Sequence, residues 1–155
     1  MESVTTIDHP TLSPSRLMSQ RDIRVINLLS RVASDITSPV GKARISACIV
    51  YQNEVVSFGI NELKSHPLQA KFGKNEDAIY LHAEVSAIKN ALRTLTIDNL
   101  SKTTLYICRV KYFDQTKQRM IFGLAKPCSG CRRCIRAFDI GRVVYTLDNS
   151  GIGEI

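Results

Sequence analysis

Two short runs carry side chains whose types and spacing suit metal chemistry: His82-Ala83-Glu84 and Pro127-Cys128-Ser129-Gly130-Cys131. One imidazole and two thiols are donors that zinc takes in tetrahedral geometry. Three protein ligands leave a fourth position open, as in catalytic rather than structural zinc sites. Two cysteines three positions apart at the start of a helix put both sulfurs within reach of one ion. The helix N-terminus, with its partial positive charge and free N–H groups, favours the thiolate form. Glu84 stands two residues past His82, near enough to such an ion to move protons on a water without being a ligand. Singly, each residue has a plainer use. His82 could cap or fill a core, Glu84 could be a favourable charge in a first helical turn, and Cys128 with Cys131 could be a redox pair. A redox pair is the poorer fit because the proline precedes the cysteines instead of lying between them. The joint occurrence, in this order and at two helix starts, outweighs the separate readings. A second C-x-x-C, Cys131-Arg132-Arg133-Cys134, overlaps the first. Cys134 falls a turn deeper in the helix, where cysteine serves as a small buried hydrophobe, so it is left out of the ligand set. Cys48 and Cys108 fall in strands and read as core residues.

The elements that must position these groups follow from periodicity and turn chemistry. Residues 1–18, rich in Ser, Thr and Pro, read as a loose tail. Ser19 can cap a helix over 19–36, with Ile23, Ile26, Leu29, Val32, Ala33 and Ile36 at helical spacing. Ser38-Pro39-Val40-Gly41 ends it. Ile45–Tyr51 and Glu54–Ile60 are β-rich runs joined at Gln52-Asn53, a tight hairpin. A polar loop spans 61–78, and a second helix runs from about Leu81 to Arg93. Thr103–Val110 is an apolar strand suited to burial on both faces. The basic stretch 111–126 contains Tyr112, Phe113 and the apolar trio 120–122, which predicts a short strand folding back as a hairpin. A third helix is expected from about Cys128 to Asp139, stopped by Gly141, and a last strand over 142–147. The tail 148–155 is too short for another helix and strand. This order predicts a three-layer α/β/α domain with a mixed central sheet over 19–155.

At 155 residues the chain has the length of one domain, large enough to bury a core. With 44% hydrophobic and 23% charged residues it reads as a globular protein, and no run reaches the roughly 20 apolar residues of a membrane span. The first residues lack the basic-then-apolar layout of a secretory signal. Two acidic residues against Arg16 before position 20 make a poor transit peptide. The expected location is the cytoplasm, where an odd set of five cysteines, three within seven residues, points to metal binding or redox chemistry rather than a disulfide framework. The formal charge of +7 is uneven. Residues 101–142 hold ten Lys or Arg against Asp114 and Asp139, a local +8, and the remainder sums to −1. A positive region around the cysteines suits phosphate, on a nucleotide or along a polynucleotide; the plainer alternative is a solvated surface.

The paired motifs match the H-x-E…P-C-x-x-C signature of zinc deaminases. Over roughly residues 40–147 the chain resembles the cytidine and deoxycytidylate deaminase superfamily, which includes tRNA adenosine deaminases and polynucleotide cytosine deaminases. The resemblance implies zinc on His82, Cys128 and Cys131. It also implies a proton shuttle at Glu84 that serves replacement of the exocyclic amine at C4 of cytosine, or C6 of adenine, by water. It further implies substrate contacts from Asn61, Ala83 and Pro127. Asn61 after the second strand would bond a sugar hydroxyl, although asparagine there is also an ordinary turn former. His66 in the same loop could line the pocket mouth or be solvated.

Three departures set this chain apart. Glu62 follows Asn61 where deoxycytidylate enzymes typically have Gly. Lys111–Lys126 is inserted before the Pro-Cys motif, and the final helix and strand of many relatives are missing. The shortened end leaves apolar surface with less cover, which favours a homo-oligomer. The first expectation for function is a free cytosine nucleotide or nucleoside deaminase, with dCMP foremost. The second is a deaminase of tRNA or single-stranded DNA, on the strength of basic residues interleaved with aromatics. The third is a binding module with structural zinc, which would have no use for Glu84.

Overall fold

A computed structural model describes residues 9–37, 43–72, 80–148 and 150–155. Helix α1 (Gln20–Ser34) begins where Ser19 accepts a bond from the Asp22 N–H, the capping expected of it. Strands β1 (Arg44–Tyr51) and β2 (Glu54–Ile60) form the hairpin at Gln52-Asn53, both of which take positive φ. Helices α2 (Pro67–Phe72), α3 (Ala83–Ala91) and α4 (Ile97–Leu100) follow. Then come β3 (Thr104–Tyr112), β4 (Met120–Gly123), α5 (Ser129–Ala137), β5 (Arg142–Thr146) and β6 (Ile152–Glu154).

The strands make one mixed sheet in the order β2-β1-β3-β5-β6, with β5 parallel to β3 and the other pairs antiparallel. β4 also pairs with β3, along Arg109–Tyr112, beyond the Thr104–Ile107 stretch that pairs with β5. The inserted segment therefore folds back as the expected hairpin and extends the sheet. Helix α1 covers one face, packing Val25, Ile26, Leu29 and Ala33 on Cys48, Tyr106, Cys108 and Val144. Helices α3 and α5 cover the other, where Val85, Ile88, Cys134 and Ile135 meet Ala47, Ile49, Leu105 and Ile107. This is the three-layer α/β/α arrangement, because alternate residues of β1 and β3 are apolar on both faces and so require a helix on each side.

Several elements differ from the sequence expectation. Part of the segment read as a loose tail is docked: Leu12 is buried, its N–H donates to Asn27 Oδ1 at 2.7 Å, and Pro10 O accepts from Ser30 Oγ at 2.5 Å. The loop after β2 contains α2, too short to show a period. The tail supplies β6, whose pairing on β5 covers part of the surface expected to be bare. α5 is closed not by Gly141 but by Asp139 at φ 54°, with Ile140 N bonding Ile135 O and Asp139 N bonding Arg136 O. The break at 38–41 and the loop end at 73–78 lie outside the described residues.

Candidate active site

Two helix starts meet at the C-terminal side of β3. His82 occupies the N-cap position of α3 with extended backbone, yet its side chain makes no capping bond. The imidazole is therefore free to turn away from its own helix. Cys128 is the N-cap of α5, with its sulfur accepting from the Cys131 N–H at 3.5 Å. The donor atoms of His82, Cys128 and Cys131 lie within 4.8 Å of one another. His82 Nδ1 stands 3.3 Å from Cys131 Sγ and 3.7 Å from Cys128 Sγ. These distances bracket the separation of about 3.6 Å for a nitrogen and a sulfur on one tetrahedral zinc. The donor set and its spacing fit the metal. Cys134 lies outside the triangle, buried in the core between α5 and the sheet.

The start of α3 reaches the sheet because β2 offers no side chain beneath it. A Cβ on Gly59 would lie 2.4 Å from Ala83 O and 2.5 Å from Ala87 N, so only glycine permits this approach. Ser57 Oγ donates to Ala87 O at 2.7 Å and ties the same helix to β2. From the other side Gln69, fully buried on α2, accepts the His82 N–H at 3.1 Å. The position of His82 is thus held by β2 below and α2 beside it.

Electrostatics in the triangle follow from burial and proximity. Hydrogen bonds from Cys131 and His82, together with the imidazolium charge, pull the Cys128 thiol down to about 3. Cys131 moves the other way, because the neighbouring Cys128 thiolate, burial and Glu84 all disfavour a second negative charge. Without a cation the pair keeps one proton; a divalent ion at its centre is what lets both sulfurs be thiolates. The Cys128 bond and Glu84 raise His82 against the effect of burial. Burial raises the Glu84 carboxyl, only partly offset by its backbone bond and by His82. The Glu84 side chain is 6% exposed, and its Oε2 accepts from Cys131 Sγ at 3.2 Å. A buried carboxyl with its proton affinity raised is suited to taking and returning protons.

A family model described as the cytidine and deoxycytidylate deaminase zinc-binding region matches residues 19–147, which include both motifs. The chain belongs to this family. Its cofactor is zinc, and its fold is the deaminase α/β sandwich. No curated protein sequence matches the chain. Among solved structures, the apo dCMP deaminase from the cyanophage S-TIM5 aligns at a TM-score of 0.48 and 18% identity, over 80% of this chain and 78% of that one.

A cleft of about 340 Å³ lies in front of His82 and Glu84. Asn61 and Ala83 line it. The Asn61 amide is already engaged, with Nδ2 donating to Ala43 O at 2.9 Å and Oδ1 accepting from Ile45 N at 3.1 Å. It thereby anchors the start of β1 and keeps one N–H and one lone pair for a ligand. Pro127 is buried, and the cleft is lined by its neighbours Lys126 and Cys128 instead. His66 lies elsewhere; its Nδ1 accepts the Leu68 N–H at 3.1 Å in the first turn of α2. Sequence reasoning missed Gln69 and Arg109. Nothing in the sequence marks Gln69. Arg109 carried a signal, as a charge that follows the core residues Leu105 and Ile107 in phase along β3.

Proposed function

We propose that this protein is a hydrolytic deaminase of a free cytosine nucleotide or nucleoside, with dCMP converted to dUMP as the foremost reaction. His82, Cys128 and Cys131 hold the zinc in this reading, and Glu84 carries protons. The observation behind it is the carboxyl of Glu84, buried at the floor of the cleft and bonded at 3.2 Å to a sulfur of the donor triangle. A zinc that only braced the fold would need no such neighbour. The volume of the cleft suits a nucleotide-sized ligand.

Bound zinc supplies a Lewis acid that makes water a better nucleophile near neutral pH. Glu84 takes a proton from the attacking water and gives it to the ring nitrogen beside the reacting carbon. It then takes the proton of the newly attached hydroxyl and delivers it to the exocyclic nitrogen, which leaves as ammonia while the carbonyl forms. Leu81, Ala83 and Ala125 give the cleft apolar walls that hold the base and exclude other water. Family membership supports the reaction class, and the geometry supports the assignment of roles.

The test is ammonia release from a panel of nucleosides, nucleotides and oligonucleotides, with Glu84→Gln as the control. Glutamine keeps the shape and removes the basicity. We expect zinc and fold to be retained and turnover to fall by about 10⁴-fold or more, the upper end for proton-transfer groups. A variant with more than a tenth of normal activity would rule out Glu84 as the proton carrier.

One observation favours a polynucleotide substrate as second reading. A cavity of about 490 Å³ lined by Arg44, Arg109, Lys111, Tyr112 and Lys117 shares Arg109 with the first. Against it, the rings that would stack bases are already met by the protein's own cations. Arg44 lies 5.0 Å from the Tyr112 ring centre and Arg119 lies 4.1 Å from that of Phe113. Replacing Lys111, Lys117 and Arg119 together by Ala separates the readings. Little change in dCMP turnover is expected. If only oligonucleotides react, with a steep salt dependence that the triple variant flattens, the second reading stands.

A further inference from the structure

Arg109 is a charge at a place where most charges are excluded. On β3 it follows Leu105 and Ile107 along the face that packs beneath α3 and α5. Its backbone N–H is fixed by Thr146 Oγ1 at 3.1 Å, and that hydroxyl donates onward to Gly123 O at 2.7 Å. The stem of the side chain runs over Gly123 of β4, where an added Cβ would come within 3.1 Å of Arg109 Cδ and 3.2 Å of Cγ. The inserted hairpin thus leaves a glycine-lined track for this one side chain. At the end of the track Nε is buried and has no hydrogen-bond partner among the described residues. None of the four ion pairs among those residues involves Arg109 or Lys126. Asp148 feels the charge of Arg109, yet its own bonds go to Lys111 Nζ at 3.0 Å and Leu124 N at 3.2 Å. Both Arg109 and Lys126 line the cleft that holds His82 and Glu84.

A buried guanidinium donor without an acceptor is costly to the fold and rare in folded proteins. Nε itself is closed to solvent, so a ligand's acceptor would meet the terminal nitrogens of the half-buried Arg109, which make no hydrogen bond among the described residues. The planar set of donors on Arg matches phosphate oxygens, and a nearby ammonium adds a second point charge. We propose that Arg109, assisted by Lys126, binds a phosphate on the sugar of the base that reaches Glu84, so that the site selects nucleotides over nucleosides. This rests on the deaminase reading above. The phosphate is either the terminal ester of a free nucleotide or a diester within a strand, which offers the same oxygens to the guanidinium.

The experiment measures kcat/KM of the zinc-loaded enzyme for dCMP, deoxycytidine and a short cytosine-bearing oligonucleotide. Wild type is compared with Arg109→Gln, Arg109→Lys, Lys126→Ala and Gly123→Ala, the last crowding the Arg109 stem. We expect the wild-type preference for a phosphorylated substrate over deoxycytidine to collapse by about 10²-fold in Arg109→Gln, the loss of one buried charge-assisted contact. Arg109→Lys should recover part of it, and Lys126→Ala and Gly123→Ala should lower the same ratio by smaller factors. A collapse seen with dCMP assigns the free ester; one confined to the oligonucleotide assigns the diester. The proposal is overturned if wild type shows no preference for phosphate, or if Arg109→Gln slows phosphorylated and unphosphorylated substrates equally. Should Arg109→Gln fail to fold, the ratios in Lys126→Ala and Gly123→Ala decide. Calorimetric binding of dCMP and deoxycytidine to zinc-loaded Glu84→Gln distinguishes the two levels of failure. Equal affinities overturn the phosphate site alone, whereas no binding of either, with no turnover by wild type, overturns the deaminase reading as well.

Discussion

On the α1 side of the sheet a buried charge is closed on its neighbours. On the α3–α5 side several are left open. Asp22, 2% exposed at the start of α1, accepts from Tyr106 Oη at 2.5 Å and from Arg142 Nη1 and Nη2 at 2.9 and 2.8 Å. Arg142 also pairs with Glu154, so α1, β3, β5 and β6 share one network. Across the sheet, Cys128 and Cys131 cannot both ionise without a cation, Glu84 has its proton affinity raised, and Arg109 Nε has no acceptor among the described residues. A closed network serves the fold, because each desolvated group recovers its bonds within the chain. An open one is tolerated because a metal or substrate completes it. The same sheet carries both, and the difference separates residues that hold the molecule together from residues proposed to do its chemistry.

The largest effect should come from the open side. Cys131→Ala should abolish both zinc binding and turnover, whereas Cys134→Ala, one helical turn away in the core, should retain the metal. Elemental analysis of the two purified variants decides, and the reverse pattern would exchange the two cysteines in the ligand set.

On the closed side the cost should fall on stability alone. Arg142→Met leaves Asp22 buried without its cation, and we expect a loss of about 2–3 kcal/mol in urea unfolding with unchanged activity per zinc-loaded molecule. Burial by itself would raise the Asp22 carboxyl, but the bonds from Arg142 and Tyr106 outweigh it and hold it below the ordinary value. Its contribution is therefore complete above the unfolded value near pH 4 and is lost as pH falls through the lower folded one. The stability gap between wild type and Arg142→Met should be full at pH 6 and shrink below about pH 4. A gap that widens in acid would contradict this account of the network.

A smaller effect is expected where a residue only orients a ligand. Gln69→Leu removes the acceptor for the His82 N–H. Groups that steady metal ligands contribute about 10–100-fold to affinity or activity, and a single backbone bond should lie at the lower end. Competition with a chromophoric zinc chelator measures the change. An unaltered zinc affinity together with unaltered kcat would mean that β2 alone positions α3.

Much of this contrast could be read from the chain before any coordinates. His82-Ala83-Glu84 and Pro127-Cys128-Ser129-Gly130-Cys131 announce themselves because the donors and the carboxyl proposed to carry protons are close in sequence, and each run sits at a helix start, that of α5 capped by Cys128 itself. The strands around them show in their β-branched, two-sided apolar pattern. Short elements such as α2 and β6 did not show, since six and three residues are too few to establish a period.

By itself, then, the sequence determined the metal chemistry, the reaction class and the layered order of helices and strands, because each of these is encoded by residues within a turn or two of one another. Tertiary structure alone decided which polar groups are finished and which are not. That Asn61 spends its amide on β1, that Gln69 braces His82 from 13 residues away, and that Gly59 and Gly123 open the tracks for α3 and Arg109 all depend on contacts between distant segments. A polar side chain has the same appearance in a sequence whether its partner is backbone, water or substrate, and only packing removes the water and shows which one is left.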